Sequence, residues 1–363
     1  MVKKNPKNTK ILFILPSLVA GGAERVVSFI SRNLNEEKFE SHLLVIGFEK
    51  DSVYDSLGSN VTFLNKPRVS SSIFALISSI SKFKPDIVFS CMAHLNIVMG
   101  LVSLFFPNIK FIGREATVLS SDNRTVENKS IIVWVIQKIT KALYRKLDFL
   151  VCQSFDMKND MIKTFGFSEE KIEVINNPIS SLPPINTEYT SSKSTRRFIT
   201  VGRLSLEKGH IRLLKILSKV KFDYKYTIVG NGDQKEVLFT EAKKLGIFDK
   251  IEHIPFTREV NNYLSQHDIF LQGSYVEGFP NAVLESCVVG TPVIGFNVPG
   301  GTKEIIINNV NGKLVENEKE FLKELNKDSN YSFDRFEVRK SVVDKFKKEK
   351  IMKKYENLFS RMI

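Results

Sequence analysis

Short apolar runs recur along the chain, each bounded by Gly, Pro, Asn or Asp, and segments with a helical period lie between them. Residues 10–18, SHLLVIGF at 41–48, VTFL at 61–64, PDIVFSCMAH from Pro85, KFIG from Lys110, FLVCQS from Phe149 and KIEVINNP from Lys171 read as buried strands. Between them, stretches such as 71–83 and 130–148 carry apolar residues at helical spacing. Strands alternating with helices in this way predict an α/β fold, a parallel sheet with helices on both faces. After 179–196, rich in Ser, Thr and Pro and without period, the pattern begins again with FITVG, YKYTIVG, KIEHIP and DIFLQGS. The repetition predicts one domain over 1–178, a linker over 179–196, a second domain over 197–342 and a basic helix over about 343–363. NNVNGKLV at 308–315 reads as a final hairpin or strand pair. The apolar run near the N-terminus leads straight into Gly21-Gly22 and so reads as a first strand rather than a signal peptide. The longest apolar stretch, 95–106, falls short of the roughly twenty residues that span a bilayer.

Composition narrows the classes. With 363 residues, 42% of them hydrophobic, the chain can bury two cores. A net charge of +13 implies an anionic partner: nucleic acid, a phospholipid surface or a phosphorylated substrate. Nucleic acid is the weakest of these, because no recognition module is present and the lysines are spread over helices instead of forming an aromatic-interleaved stripe. Cys91, Cys152 and Cys287 stand far apart in apolar contexts with no zinc spacing, which reads as buried thiols in a reducing compartment. The 130–148 helix interleaves Trp134 and aliphatic residues with Lys138, Lys141, Arg145 and Lys146. It fits an anionic membrane surface, with Lys3, Lys4, Lys7 and Lys10 adding to a cationic side, or equally a core helix with a solvated face. The lysines of the C-terminal helix read as a solvated face.

Candidate chemistry gathers after strands. YVEGFPNAVLESCVVGTPVI, from Tyr275, places Glu277, Gly278, Phe279 and Pro280 where a helix opens, with Pro at an early position. A helix start favours an anion, and Glu277 and Glu285, eight apart, are suited to accept from sugar hydroxyls or simply to be solvated. GRLSLEKG puts Arg203 and Lys208 on a loop where they can converge on a diphosphate, or where they decorate a surface. Gly21-Gly22 allows close approach of a ligand or makes a tight turn. Gly230 and Gly232 lack the third glycine of a dinucleotide site, and Gly301 stands where a phosphate-binding P-loop requires Lys.

The stretch from Tyr275 resembles the E-x7-E signature of the retaining GT-B glycosyltransferases, family 4, including the Pro280-Asn281 step and the closing Gly290-Thr291-Pro292-Val293-Ile294. GR-x4-KG belongs to the same resemblance, which covers nearly the whole chain and is strongest over 197–315. It implies two Rossmann-like domains facing a cleft, with the terminal helix crossing back to the first. The resemblance implies a nucleotide diphosphate sugar donor, UDP-sugar favoured, without cofactor or metal, and no two aspartates stand two apart as a D-x-D metal motif requires. Its catalytic candidates are Arg203, Lys208 and Glu277: the cations on the diphosphate, Glu277 on the donor sugar. Glu285 falls to the ribose, Phe256 to the nucleobase side, Gly278, Phe279, Pro280 and Asn281 to the donor, and Gly21 and Gly22 to the diphosphate. His94, Arg114 and Glu115 are expected on the acceptor side, although Arg114-Glu115 departs in order from the family's Ser-Glu-Arg-like segment. The implied acceptor is a polyprenyl-diphosphate-linked saccharide of O-antigen, capsule or lipopolysaccharide synthesis, met peripherally at the cytoplasmic face of an anionic membrane. A soluble acceptor, nucleotide-sugar epimerisation and a non-catalytic scaffold are the alternatives.

Overall fold

The computed structural model describes residues 8–19, 21–53, 60–121, 131–189, 194–327 and 333–363, with backbone alone over 131–137. Trp134 and the N-terminal Lys3, Lys4 and Lys7, expected on a cationic side, lie outside the described side chains. The chain divides into two compact units, Met1–Pro178 with Lys348–Ile363, and Ile179–Lys347.

The first unit holds β1 (Thr9–Leu15), β2 (Phe39–Val45), β3 (Val61–Phe63), β4 (Ile87–Cys91), β5 (Lys110–Arg114), β6 (Phe149–Cys152) and β7 (Ile172–Val174) in one sheet of order β3-β2-β1-β4-β5-β6-β7. Every pairing is parallel; β1 sets Ile11 against Ile87 and Leu43 packs one strand further out, opposite Phe13. Parallel strands joined by helical crossovers are covered on both faces, which is why β4 is buried at all five positions and reads as a continuous apolar run. One face closes on Phe13, Phe89, Tyr355 and Phe359, with the Phe89 and Phe359 rings edge to face at 5.7 Å. Two of those rings come from the helix Lys348–Arg361, so the end of the chain is built into the core of the first unit. Its remaining face, including Lys350 and Lys353, is exposed.

The second unit holds β8 (Arg196–Val201), β9 (Tyr224–Val229), β10 (Ile251–Ile254), β11 (Ile269–Gln272), β12 (Val293–Phe296) and β13 (Gly312–Val315), again all parallel, in the order β10-β9-β8-β11-β12-β13. Two sequence readings change here. Residues 308–315 form no hairpin: only β13 is a strand, pairing in parallel with β12, while Asn308 turns the chain into it by accepting from the Leu314 amide at 2.8 Å. β12 itself was hidden in the closing part of the 275–294 motif. The Ser- and Pro-rich segment expected as a linker is, where described, held on this unit: Ile179 is buried, Arg339 donates to the Pro183 carbonyl, and the Tyr189 hydroxyl donates to Asp268 at 2.8 Å.

Candidate active site

In the second unit the strand order reverses direction between β8 and β11, and ligands on such sheets bind at the carboxyl ends of the strands flanking that switch. The loop after β8 carries Arg203 and Lys208; the loop after β11 carries Glu277. The fold brings them together. The Lys208 ammonium lies 2.7 and 2.9 Å from the two carboxylate oxygens of Glu277, across 69 residues of chain. The Ser274 hydroxyl donates to the same carboxylate at 2.6 Å. Glu277 is 8% exposed while the Lys208 side chain keeps 29%, so the carboxylate is fixed and its cation is reachable.

Glycines make this approach possible. Gly209 is left-handed (φ +61°), and a Cβ there would overlap the Gly273 carbonyl oxygen, so only glycine lets the two loops touch beside Lys208. Gly300 (φ +118°) has the same relation to the Glu277 carbonyl. The Pro299 carbonyl accepts from the Glu277 amide at 3.0 Å, and the Gly301 amide donates to the Gly278 carbonyl at 2.9 Å, so 299–301 clamps the backbone that presents Glu277. The stretch that failed as a P-loop is therefore a support for the site. Gly230 and Gly232 serve likewise, packing their turn against the carbonyls of Gly202 and Leu204.

Arg212, in the first turn of the helix His210–Leu217, had no sequence signal. It donates to the carbonyls of Gly273 and Ser274, and its guanidinium carbon lies 4.1 Å from the Tyr275 ring centre and 3.5 Å from that of Phe296. Burial lowers its pKa to about 10, which leaves it charged at neutral pH. His210 is buried and pushed down to about 4 by that burial, so it is neutral and its Nε2–H donates to the Arg203 carbonyl at 3.0 Å. Arg203 itself is exposed.

Gly278, Phe279 and Pro280 follow Glu277 into the helix Asn281–Val288, whose start no side chain caps. Phe279 packs in the core, 5.3 Å from the Phe346 ring, so only its backbone borders the site. Asn281 and Glu285 are half-buried on that helix, and Phe256 stands 63% exposed after β10, two strands from β8.

In the first unit Gly21 caps the helix Gly22–Arg32 with extended backbone, and the Glu24 carboxylate folds back over it. That helix start thus already carries an anion of its own. His94 is exposed after β4, beside a cavity, and burial of one side of its ring lowers its pKa. Arg114 and Glu115 do not face an acceptor: both are buried, which corrects the reading from sequence. Arg114 donates to Asn177, to the Tyr355 hydroxyl and to the Cys91 sulfur, tying β5 to the C-terminal helix. Glu115 accepts from Asn96 at 2.6 Å and from the Tyr144 hydroxyl at 2.8 Å, and burial raises it to about 7 despite these bonds.

Comparison with known proteins accounts for this arrangement. The family model described as glycosyltransferase family 4 matches residues 20–181, and that described as glycosyl transferases group 1 matches 185–330. The chain is 26% identical over 325 residues to the N-acetylgalactosamine-N,N'-diacetylbacillosaminyl-diphospho-undecaprenol 4-alpha-N-acetylgalactosaminyltransferase of Campylobacter jejuni, covering 85% of this chain and 86% of the relative. It is 27% identical to the lipopolysaccharide 1,6-galactosyltransferase of Escherichia coli, covering 85% of each. Among solved structures, the apo lipopolysaccharide outer core galactosyltransferase WaaB superimposes with a TM-score of 0.78 at 18% identity, covering 97% of this chain and 100% of its own. Anabaena HepE in complex with UDP gives 0.77 at 17%, covering 97% and 100%. Both share the GT-B fold of two parallel-sheet Rossmann-like domains. With one model matched on each half and a Lys–Glu pair at the switch point of the second sheet, the chain belongs to glycosyltransferase family 4 and is a glycosyltransferase.

Proposed function

We propose that this enzyme transfers a sugar from a UDP-sugar to a saccharide carried on a polyprenyl diphosphate, with retention at the anomeric carbon and without a metal ion, in the building of a bacterial surface polysaccharide. The observation that carries the reading is the 2.7 Å contact of Lys208 and Glu277 at the second switch point. Without donor the two satisfy each other. With donor bound, Lys208 turns to the diphosphate and Glu277 accepts from sugar hydroxyls, its carboxylate still held by Ser274. The activities of the Campylobacter and Escherichia relatives, and the UDP in HepE, support the donor and acceptor classes.

As the bond from the anomeric carbon to the phosphate oxygen breaks, negative charge grows on the diphosphate. Lys208 and Arg203 stabilise it more in the transition state than in the ground state, which is what accelerates the step. The acceptor hydroxyl oxygen bonds to the same face of the sugar, and its proton passes to the leaving phosphate oxygen. No separate base is then needed. Lys208 and Arg203 take the role that a divalent ion would otherwise fill at the diphosphate. No helix among the described residues is long and apolar enough to cross a membrane. A peripheral encounter is supported by the net charge of +13 and by exposed Phe74, Phe105 and Ile139 on the first unit.

The test is a panel of UDP-, GDP- and dTDP-sugars with polyprenyl diphosphate saccharide and with soluble saccharide, reading nucleotide release and the anomeric configuration of the product by NMR, with and without EDTA. Product from a UDP-sugar on the lipid acceptor alone, with retained configuration and full activity in EDTA, is expected. Transfer to the soluble acceptor at the same rate would remove the lipid from the reading, and inverted product would remove the mechanism.

A further inference from the structure

The first unit repeats the topology of the second, and its own switch point lies between β1 and β4. A cavity of about 500 Å³ opens there, at the carboxyl ends of the strands. Ser17 reaches it from beyond β1, Asp51 from beyond β2, Lys66 and Arg68 from beyond β3, and His94 from beyond β4. Among the described residues, the side chains of Asp51, Lys66, Arg68 and His94 make no ion pair or hydrogen bond. The contrast with Lys208 is direct: these cations have no carboxylate to satisfy them. The backbone beside them has positive φ, at Asn65 (φ +53°) just before Lys66 and at Met92 (φ +84°) two residues before His94. Positive-φ positions at residues with a Cβ gather where a site needs side chains aimed.

The charges select a ligand. Two unmatched cations in a concave site attract an anion, and phosphate offers both of them oxygen acceptors. Asp51, in the same cavity, works against a bare anion and requires a donor such as a sugar hydroxyl. Burial keeps the His94 ring neutral at neutral pH, able to donate from one nitrogen and accept at the other. A volume of about 500 Å³ is of the size that takes a small polar ligand, a monosaccharide with its phosphate.

We propose that this cavity binds a phosphorylated saccharide, with Lys66 and Arg68 on the phosphate and Asp51 and His94 on the sugar hydroxyls. Its place as the acceptor end of the reaction rests on the transferase reading above; the binding does not.

The experiment titrates the full chain, in saturating UDP, with N-acetylglucosamine 1-phosphate, N-acetylglucosamine and inorganic phosphate by calorimetry. The sugar phosphate is expected to bind at least ten-fold tighter than either part. Lys66→Ala with Arg68→Ala should weaken it ten-fold or more, and Asp51→Asn should bring it down to the level of inorganic phosphate, while the melting temperature of each variant stays near that of the parent. Unchanged binding by the double variant overturns the proposal, as does equal affinity for inorganic phosphate and sugar phosphate. Phosphatidylglycerol vesicles separate the other source of phosphate: loss of vesicle binding in the double variant with sugar phosphate binding intact would assign the cations to a lipid surface and overturn the cavity. UDP titrated alone reads the other proposal, since a chain that does not take UDP defeats the donor reading and leaves the cavity result standing.

Discussion

Apart from β7 at the edge of the first, the two sheets have the same strand order about the same kind of switch point, yet the two switch points are furnished in opposite ways. In the second unit the loops touch through glycines, and the opposite charges of Lys208 and Glu277 meet at 2.7 Å. In the first the loops stand apart around about 500 Å³, with cations that have no partner among the described residues. Topology chooses where a ligand goes; loop packing decides how tightly its place is specified beforehand. A closed site tolerates little change, and an open one should show its residues mainly in affinity.

The largest effect should come from breaking the closed arrangement at its backbone. Gly300→Ala forces a Cβ into the Glu277 carbonyl at a φ that side chains rarely adopt. We expect a loss of about 3 kcal/mol or more, read by urea unfolding, together with loss of transfer. Alanine at Gly246, also left-handed (φ +69°) but with nothing within 4 Å, should cost far less. Next, Lys208→Ala keeps the fold but removes a cation from the developing charge. It should lower kcat by about 10²–10³-fold, with Lys208→Arg restoring only part because the guanidinium fork does not reproduce a point charge. A kcat within two-fold of the parent would show that the pair is only structural.

Arg212→Leu comes third. It removes the donor to the Gly273 and Ser274 carbonyls and the stack between Tyr275 and Phe296, and should cost about 1–2 kcal/mol of stability and roughly ten-fold in kcat/KM for the donor. Unchanged donor kinetics would separate the loop's stability from its function. The smallest effect lies in the first unit. Burial raises Glu115 from its ordinary 4.5 to about 7, so the folded chain holds a proton that the unfolded chain releases. This contribution to stability is complete below about pH 4.5 and is lost as pH rises through 7. Melting temperature followed from pH 5 to 8 should fall more steeply for the parent than for Glu115→Gln, which carries no titrating group there. Parallel curves would mean that the carboxyl is not protonated in the folded state.

What could be read beforehand divides along the same line. Both parallel sheets were legible because strands covered on two faces are apolar throughout, and the Lys208–Glu277 pair because a family spacing carries both residues. Arg212, Ser274 and Pro299–Gly301 were not legible: each acts by touching a backbone far away in sequence, and no spacing encodes that. Arg114-Glu115 was misread for a related reason. A charged pair after a strand has the same appearance whether it faces a ligand or, as here, Asn177, Tyr355, Asn96 and Tyr144 in the interior. Lys66 and Arg68 passed unnoticed because a Lys-Pro-Arg turn looks like any solvated loop until a cavity is seen beside it.

The helix Lys348–Arg361 has a consequence for synthesis. Ile351, Tyr355 and Phe359 complete the core of a unit whose sheet is finished by Val174, so the ribosome adds the whole of the second unit before the first can close. While the nascent chain grows, Phe13 and Phe89 have each other but lack the rings of Tyr355 and Phe359, and a chain stalled before residue 348 leaves that surface available to chaperones. The core of the first unit is therefore completed only after the second unit has been translated.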